Sequence, residues 1–101
     1  MKYNGTKVSV KYSRYMNNNR LALALFDEEQ SPYAVLTVNV PEEELSNEHC
    51  TFIDTNNLPE APEFLDKYEL GKFTGRWACS GFCMYPEYEF HKEDILKGYK
   101  V

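Results

Sequence analysis

The chain has 101 residues, 43% hydrophobic and 15% aromatic, with 11 Lys+Arg against 16 Asp+Glu for a net charge of −5. That length describes one small domain over residues 1–101, and eight Tyr, six Phe and one Trp exclude a disordered acidic tail. The acidic balance excludes a generally basic, phosphate-coating protein, and no apolar run approaches the ~20 residues that span a bilayer.

Residues 6–15 alternate, with Val8, Val10 and Tyr12 against Lys7, Ser9, Lys11 and Ser13; a period of two with β-branched and aromatic residues predicts a half-buried strand. Asn17-Asn18-Asn19 marks a turn, because Asn tolerates the left-handed conformation. Leu21-Ala22-Leu23-Ala24-Leu25-Phe26 has helical propensity, but the run is short and lies between turn signals. A strand covered on both faces fits it better. After Asp27-Glu28-Glu29-Gln30-Ser31-Pro32, residues 33–40 alternate again, with Ala34, Leu36, Val38 and Val40 on one face. Short turns joining three strands predict an antiparallel meander.

Pro41 ends the third strand, and Glu42-Glu43-Glu44-Leu45 is a charged turn. Cys50-Thr51-Phe52-Ile53 predicts a fourth strand, ending at Asp54-Thr55-Asn56-Asn57. A short helix is predicted from Pro62 to Glu69, where Phe64, Leu65 and Tyr68 share a face and Gly71 would close it. Residues 73–85 are aromatic and predict one or two strands, with Gly81 as a bulge or turn. Tyr88 and Phe90 alternate with Glu87 and Glu89 in a last strand. Residues His91 to Lys97 predict a closing helix stopped by Gly98. The expected fold class is α+β: an antiparallel sheet of about five strands packed against one short helix, with a short C-terminal helix. Its core is expected to hold Val8, Val10, Leu21, Leu23, Leu25, Leu36, Val38, Phe52, Phe64, Leu65, Trp77 and Phe82.

Charge is unevenly spread. Residues 1–26 hold five bases and no acid, whereas residues 27–69 hold twelve acids and the single base Lys67. Glu28, Glu29, Glu42, Glu43 and Glu44 are therefore the candidate acidic surface, able to steer a basic partner or imitate a nucleic-acid backbone. Most of these acids fall in turns, where solvated charge is ordinary.

Three cysteines, Cys50, Cys79 and Cys83, in a chain without a recognisable signal peptide argue against a disulfide framework and for the cytoplasm. The spacing of Cys79 and Cys83 lies within the range of zinc pairs, with His49 and His91 as further ligands. A second clean pair is missing, so no metal or cofactor is expected. Cys79-Ser80-Gly81 offers a nucleophile, but no elbow or other catalytic motif surrounds it; no catalytic residue is assigned. Asp54-Thr55-Asn56-Asn57 lacks the calcium-loop pattern and reads as a turn. Trp, Tyr and Arg anchor protein interfaces, which makes Arg76, Trp77, Tyr85 and Tyr88 the candidate interaction surface.

Four phrases carry a resemblance. They are Asn19-Arg20-Leu21-Ala22-Leu23, Pro32-Tyr33-Ala34-Val35-Leu36-Thr37-Val38-Asn39, Phe52-Ile53-Asp54-Thr55-Asn56-Asn57 and Gly81-Phe82-Cys83-Met84-Tyr85-Pro86-Glu87-Tyr88. In this order, over about residues 19–90, they resemble a family of small uncharacterised bacterial proteins encoded on conjugative or integrative elements. The resemblance implies a cytoplasmic accessory of a mobile element and transfers no functional residue. The expected function is non-catalytic binding of a protein partner, without direct nucleic-acid or membrane contact. The alternatives are an acidic mimic that inhibits a nucleic-acid-binding protein, and a small thiol enzyme or zinc protein. A homodimer formed through an exposed sheet edge is also compatible with the pattern.

Overall fold

The computed structural model describes residues 1–91. Among them the chain is mostly β, with 48% of residues in strands and 8% in helix. The expected α+β sheet of about five strands is therefore corrected to three antiparallel sheets of two, three and four strands. The expected closing helix falls on residues outside the described range, apart from His91, which belongs to no regular element.

Strands β1 (Lys2–Tyr3) and β2 (Thr6–Lys7) form a small hairpin. Its turn, Asn4-Gly5, has positive φ at both positions, 49° and 82°, which matches the twist of the flanking strands. Strands β3 (Ser9–Arg14), β4 (Leu21–Phe26) and β5 (Pro32–Val35) form the expected meander. The Leu-Ala run is a strand, with Leu21, Leu23 and Leu25 fully buried and the alternate residues half-buried. The turn after β4 closes on Asp27, whose carboxylate accepts hydrogen bonds from the Glu29 and Ser31 amides at 2.9 Å each.

The alternation over residues 33–40 does not make one strand. It breaks at Leu36, which is 0% exposed. The Leu36 amide donates to the Leu23 carbonyl at 2.9 Å, and its own carbonyl accepts from the Asp54 amide at 2.8 Å. Here the chain leaves the first sheet and enters the second as β6 (Thr37–Val38). Such a switch builds the corner between two packed sheets.

Strand β7 (Cys50–Ile53), helix α1 (Ala61–Lys67), β8 (Gly71–Ser80) and β9 (Cys83–Phe90) follow. The four-stranded sheet has the order β6-β7-β9-β8, which leaves β8 at an edge. Helix α1 has Pro62 in its first turn, where the missing N–H has no cost. It ends at Glu69 in the left-handed region, with φ 52°, so Gly71 is not its closing residue. Gly71 instead opens β8 beside Phe90; a Cβ there would lie 2.8 Å from that ring.

Two apolar cores result in place of the single one expected. Leu21, Leu23, Leu25, Leu36, Ile53, Phe64 and Leu65 belong to the larger, with the half-buried Val10 packed against it. Val40, Phe52, Ala78 and Tyr85 form the smaller, with Val38 beside it. Trp77 and Phe82 join neither: Trp77 is 50% exposed and Phe82 lies fully in solvent at the tip of the β8–β9 turn.

Candidate functional site

The last hairpin presents two chemically opposite faces. Its turn is Gly81-Phe82, and Gly81 takes φ 62°, which suits the first central position of a tight hairpin turn. Pairing is regular from Ser80↔Cys83 to Trp77↔Pro86 and resumes at Phe73↔Tyr88. Residues directly opposite each other share a face, and so do alternate residues along a strand. Phe73, Trp77, Cys79, Met84, Pro86 and Tyr88 therefore lie on one face. Lys72, Ala78, Tyr85, Glu87 and Glu89 lie on the other.

Between Phe73 and Trp77 the strand bulges. Thr74, Gly75 and Arg76 stand opposite the single residue Glu87, and Gly75 takes φ 94°. A bulge re-aims side chains, and this one turns Thr74 and Arg76 onto the Glu87 carboxylate. Glu87 is 0% exposed. It accepts hydrogen bonds from Ser46 Oγ at 2.6 Å, the Ser46 amide at 2.8 Å and Thr74 Oγ1 at 2.7 Å. The Arg76 guanidinium adds an ion pair at 3.2 Å and also donates to Ser46 Oγ and the Glu44 carbonyl. Burial alone would raise the Glu87 carboxyl; the donors from Ser46 and Thr74 and the Arg76 charge outweigh it, and the group sits below its ordinary value. The cluster fastens the loop before β7 to β8 and β9. It is a satisfied structural charge, since both carboxylate oxygens are met within the protein.

The opposite face is bare at its outer end. Its inner part, Tyr88 and Phe90, is buried under the larger core. Beyond Tyr88 the stripe keeps Pro86 buried but carries its other large apolar side chains into solvent. Phe73 is 43%, Trp77 50% and Met84 54% exposed. The Phe73 ring bridges the covered and bare parts, 5.9 Å from Tyr88 and 5.6 Å from Trp77 between centroids. Trp77 lies across from Pro86. The β7–β9 pairing stops at Phe52↔Glu87, one residue short of Pro86, which has no N–H to offer.

The residues expected to form the interaction surface are thus divided. Trp77 stands on the bare stripe. Tyr85 and Tyr88, at 8% and 4% exposure, are core residues, and Arg76 is tied to Glu87. Phe73, Met84 and Phe82 take their place as exposed apolar residues. The available signal was Gly75 inside a strand pattern, which marks a bulge; Gly81, expected as a bulge or turn, is the turn.

The acidic residues do not form one patch. Glu28 and Glu29 occupy the turn after β4, where Glu28 reaches Lys7 at 3.6 Å. Glu42, Glu43 and Glu44 lie beyond the other end of β4, where Arg20 donates to the Val40 and Glu43 carbonyls. The length of β4, ~20 Å, separates the two groups.

The cysteines are also dispersed. Cys79 stands beside Met84 on the bare face, whereas Cys83 packs at the smaller core behind it. A pair on opposite faces of one hairpin does not converge on an ion. Cys50 is fully buried, and burial, with the nearby Glu87 charge, pushes its thiol up to about 11. Among the described residues no three of His, Cys, Asp or Glu gather to hold a metal ion. Asp54 accepts hydrogen bonds from the Asn57 amide and side chain, so that polar cluster is a turn. A hollow of about 390 Å³ between the first hairpin and α1 is lined by Lys2, Tyr3, Glu60, Glu63, Phe64 and Lys67. Its two bases, Lys2 and Lys67, are matched by two acids, Glu60 and Glu63. No described helix is long and apolar enough to cross a membrane.

The molecule is thus a small antiparallel β-protein with one bare apolar face. The chain matches the family described as a domain of unknown function (DUF4313) over residues 9–100 and belongs to that family. No curated protein and no solved structure matches it. The first hairpin precedes the matched region, so the hollow is lined partly from outside it, whereas the bare stripe lies wholly within it.

Proposed function

We propose that the protein is a non-catalytic accessory of a bacterial mobile element, acting in the cytoplasm by binding a protein chain through Phe73, Trp77 and Met84. The observation that carries this reading is the apolar stripe that runs out from under the larger core. A typical monomer leaves at most ~300–600 Å² in its largest apolar patch, and such patches are often functional. Taking ~200 Å² for each large side chain, the stripe with Phe82 exposes roughly 500 Å². The dispersal of the cysteines and the full satisfaction of Glu87 support the non-catalytic part. The mobile-element setting and the cytoplasm rest on the resemblance over residues 19–90 and on the cysteine usage.

The test is capture from a lysate of the native host with the tagged chain and with Trp77→Glu, at low and high salt. Because the stripe carries no charge, we expect capture to survive high salt and to fall at least tenfold in Trp77→Glu. Equal capture by a folded Trp77→Glu would remove the reading. Capture that collapses with salt would return the case to the acidic residues.

A further inference from the structure

We propose that the bare stripe of β8 and β9 is a self-association surface, covered by the same stripe of a second copy packed face to face about a two-fold axis. This rests on the reading of the stripe as a protein-binding face and names its occupant.

Three observations favour a second copy. The first is charge. Each chain carries −5, so two copies repel unless their contact is neutral. Residues 77–86 contain no charged side chain. The hairpin's own flanking charges are on the other face and balance there: Lys72 lies opposite Glu89, and Arg76 is paired with Glu87 at 3.2 Å. A two-fold contact places like surface on like surface, and this stripe puts no charge against its own copy. It equally offers nothing to select a partner of opposite sign.

The second is area. The stripe and the Phe82 ring at the turn beside it together expose roughly 500 Å² per copy, so covering both gives about 1,000 Å² in total, the area that a specific interface has to clear. Trp and Met are enriched in the cores of such contacts, and Trp77 lies at the middle of the stripe.

The third is the edge. Among the described residues no strand pairs with the outer side of β8, but pairing two copies edge to edge about a two-fold axis would leave both stripes on one open face. The edge is also blunted by the Gly75 bulge and by Lys72, devices that oppose strand addition. Face-to-face packing, at the ~10 Å spacing of stacked sheets, covers both stripes at once.

Trp77 is the single tryptophan of the chain, so its fluorescence reports on this surface alone. The experiment measures sedimentation and Trp77 emission of the full chain across dilution, with thiols kept reduced. We expect a mass near twice 11.8 kDa at high concentration, falling on dilution while the emission moves to the red and quenching by acrylamide rises. Added salt should strengthen the dimer by screening the two net charges. Phe82→Ser, at the exposed turn, should leave the circular dichroism unchanged, and Trp77→Glu should weaken association roughly 30-fold or more.

A monomer at every concentration with solvent-exposed Trp77 overturns the second copy; if capture from lysate still depends on Trp77, the binding face stands with another occupant. A monomer whose Trp77 is already shielded also overturns it, because the stripe is then not free to meet a second copy. A dimer that dissociates without any change at Trp77 overturns it too, because the contact then lies elsewhere. Loss of both self-association and Trp77-dependent capture removes the binding face itself.

Discussion

Glu87 shows how one residue organises the smaller half of the molecule. A buried carboxylate is costly unless each oxygen is met, and here Ser46, Thr74 and Arg76 meet both oxygens. Glu87→Ala should therefore lower stability by about 3 kcal/mol, read from urea unfolding, while Glu87→Gln, which keeps the shape and loses the charge, should cost less. The pH dependence has a definite sign. The folded-state carboxyl lies below its ordinary value, so the unfolded chain binds the proton first as pH falls. The contribution is complete at neutral pH and is lost below about 4.5, the ordinary value, as the folded group protonates. The loss should shrink in Glu87→Gln. Cysteine reactivity is graded by the same physics: exposed Cys79 should alkylate first under native conditions, and Cys50, with its thiol pushed up to about 11, only on unfolding. Rapid native modification of Cys50, found by mass spectrometry, would contradict its placement.

At the scale of elements, period-two alternation made β3 legible in sequence, because one of its faces lies against a core, whereas β7, buried on both faces, was legible as a short apolar run ending at a turn signal. The Leu-Ala run of β4 was decided by its length and flanking turns against its helical propensity. Four features were not legible. Leu36 continues the alternation of its strand, so nothing in the pattern announces the change of sheet; that is fixed by backbone bonds to Leu23 and Asp54. The stripe on β8 and β9 is as apolar as a core strand, and only the extent of the covering layer leaves Trp77 bare. Tyr85 and Tyr88 have the composition of an interface, yet register places them inside. Gly71 was read as a helix stop, whereas the closeness of the Phe90 ring is what requires it. Gly71→Ala should destabilise by about 1–3 kcal/mol through overpacking, visible as a lowered melting temperature; an unchanged value would mean that the ring yields freely.

For the whole molecule, the separation of acids along β4 matters as much as their number. Imitating a nucleic-acid backbone needs charge gathered on one side, and the turns at 27–29 and 42–44 lie at opposite ends of that strand. Net charge then keeps copies apart everywhere except at the neutral hairpin, where apolar area favours contact. The two cores are unequal, and each alone is small for a stable unit. What joins them is Leu36, whose amide belongs to one sheet and whose carbonyl belongs to the other. Neither layer can peel away without tearing a bond of its neighbour, so the two halves are bound to melt together, as one cooperative transition and not as two.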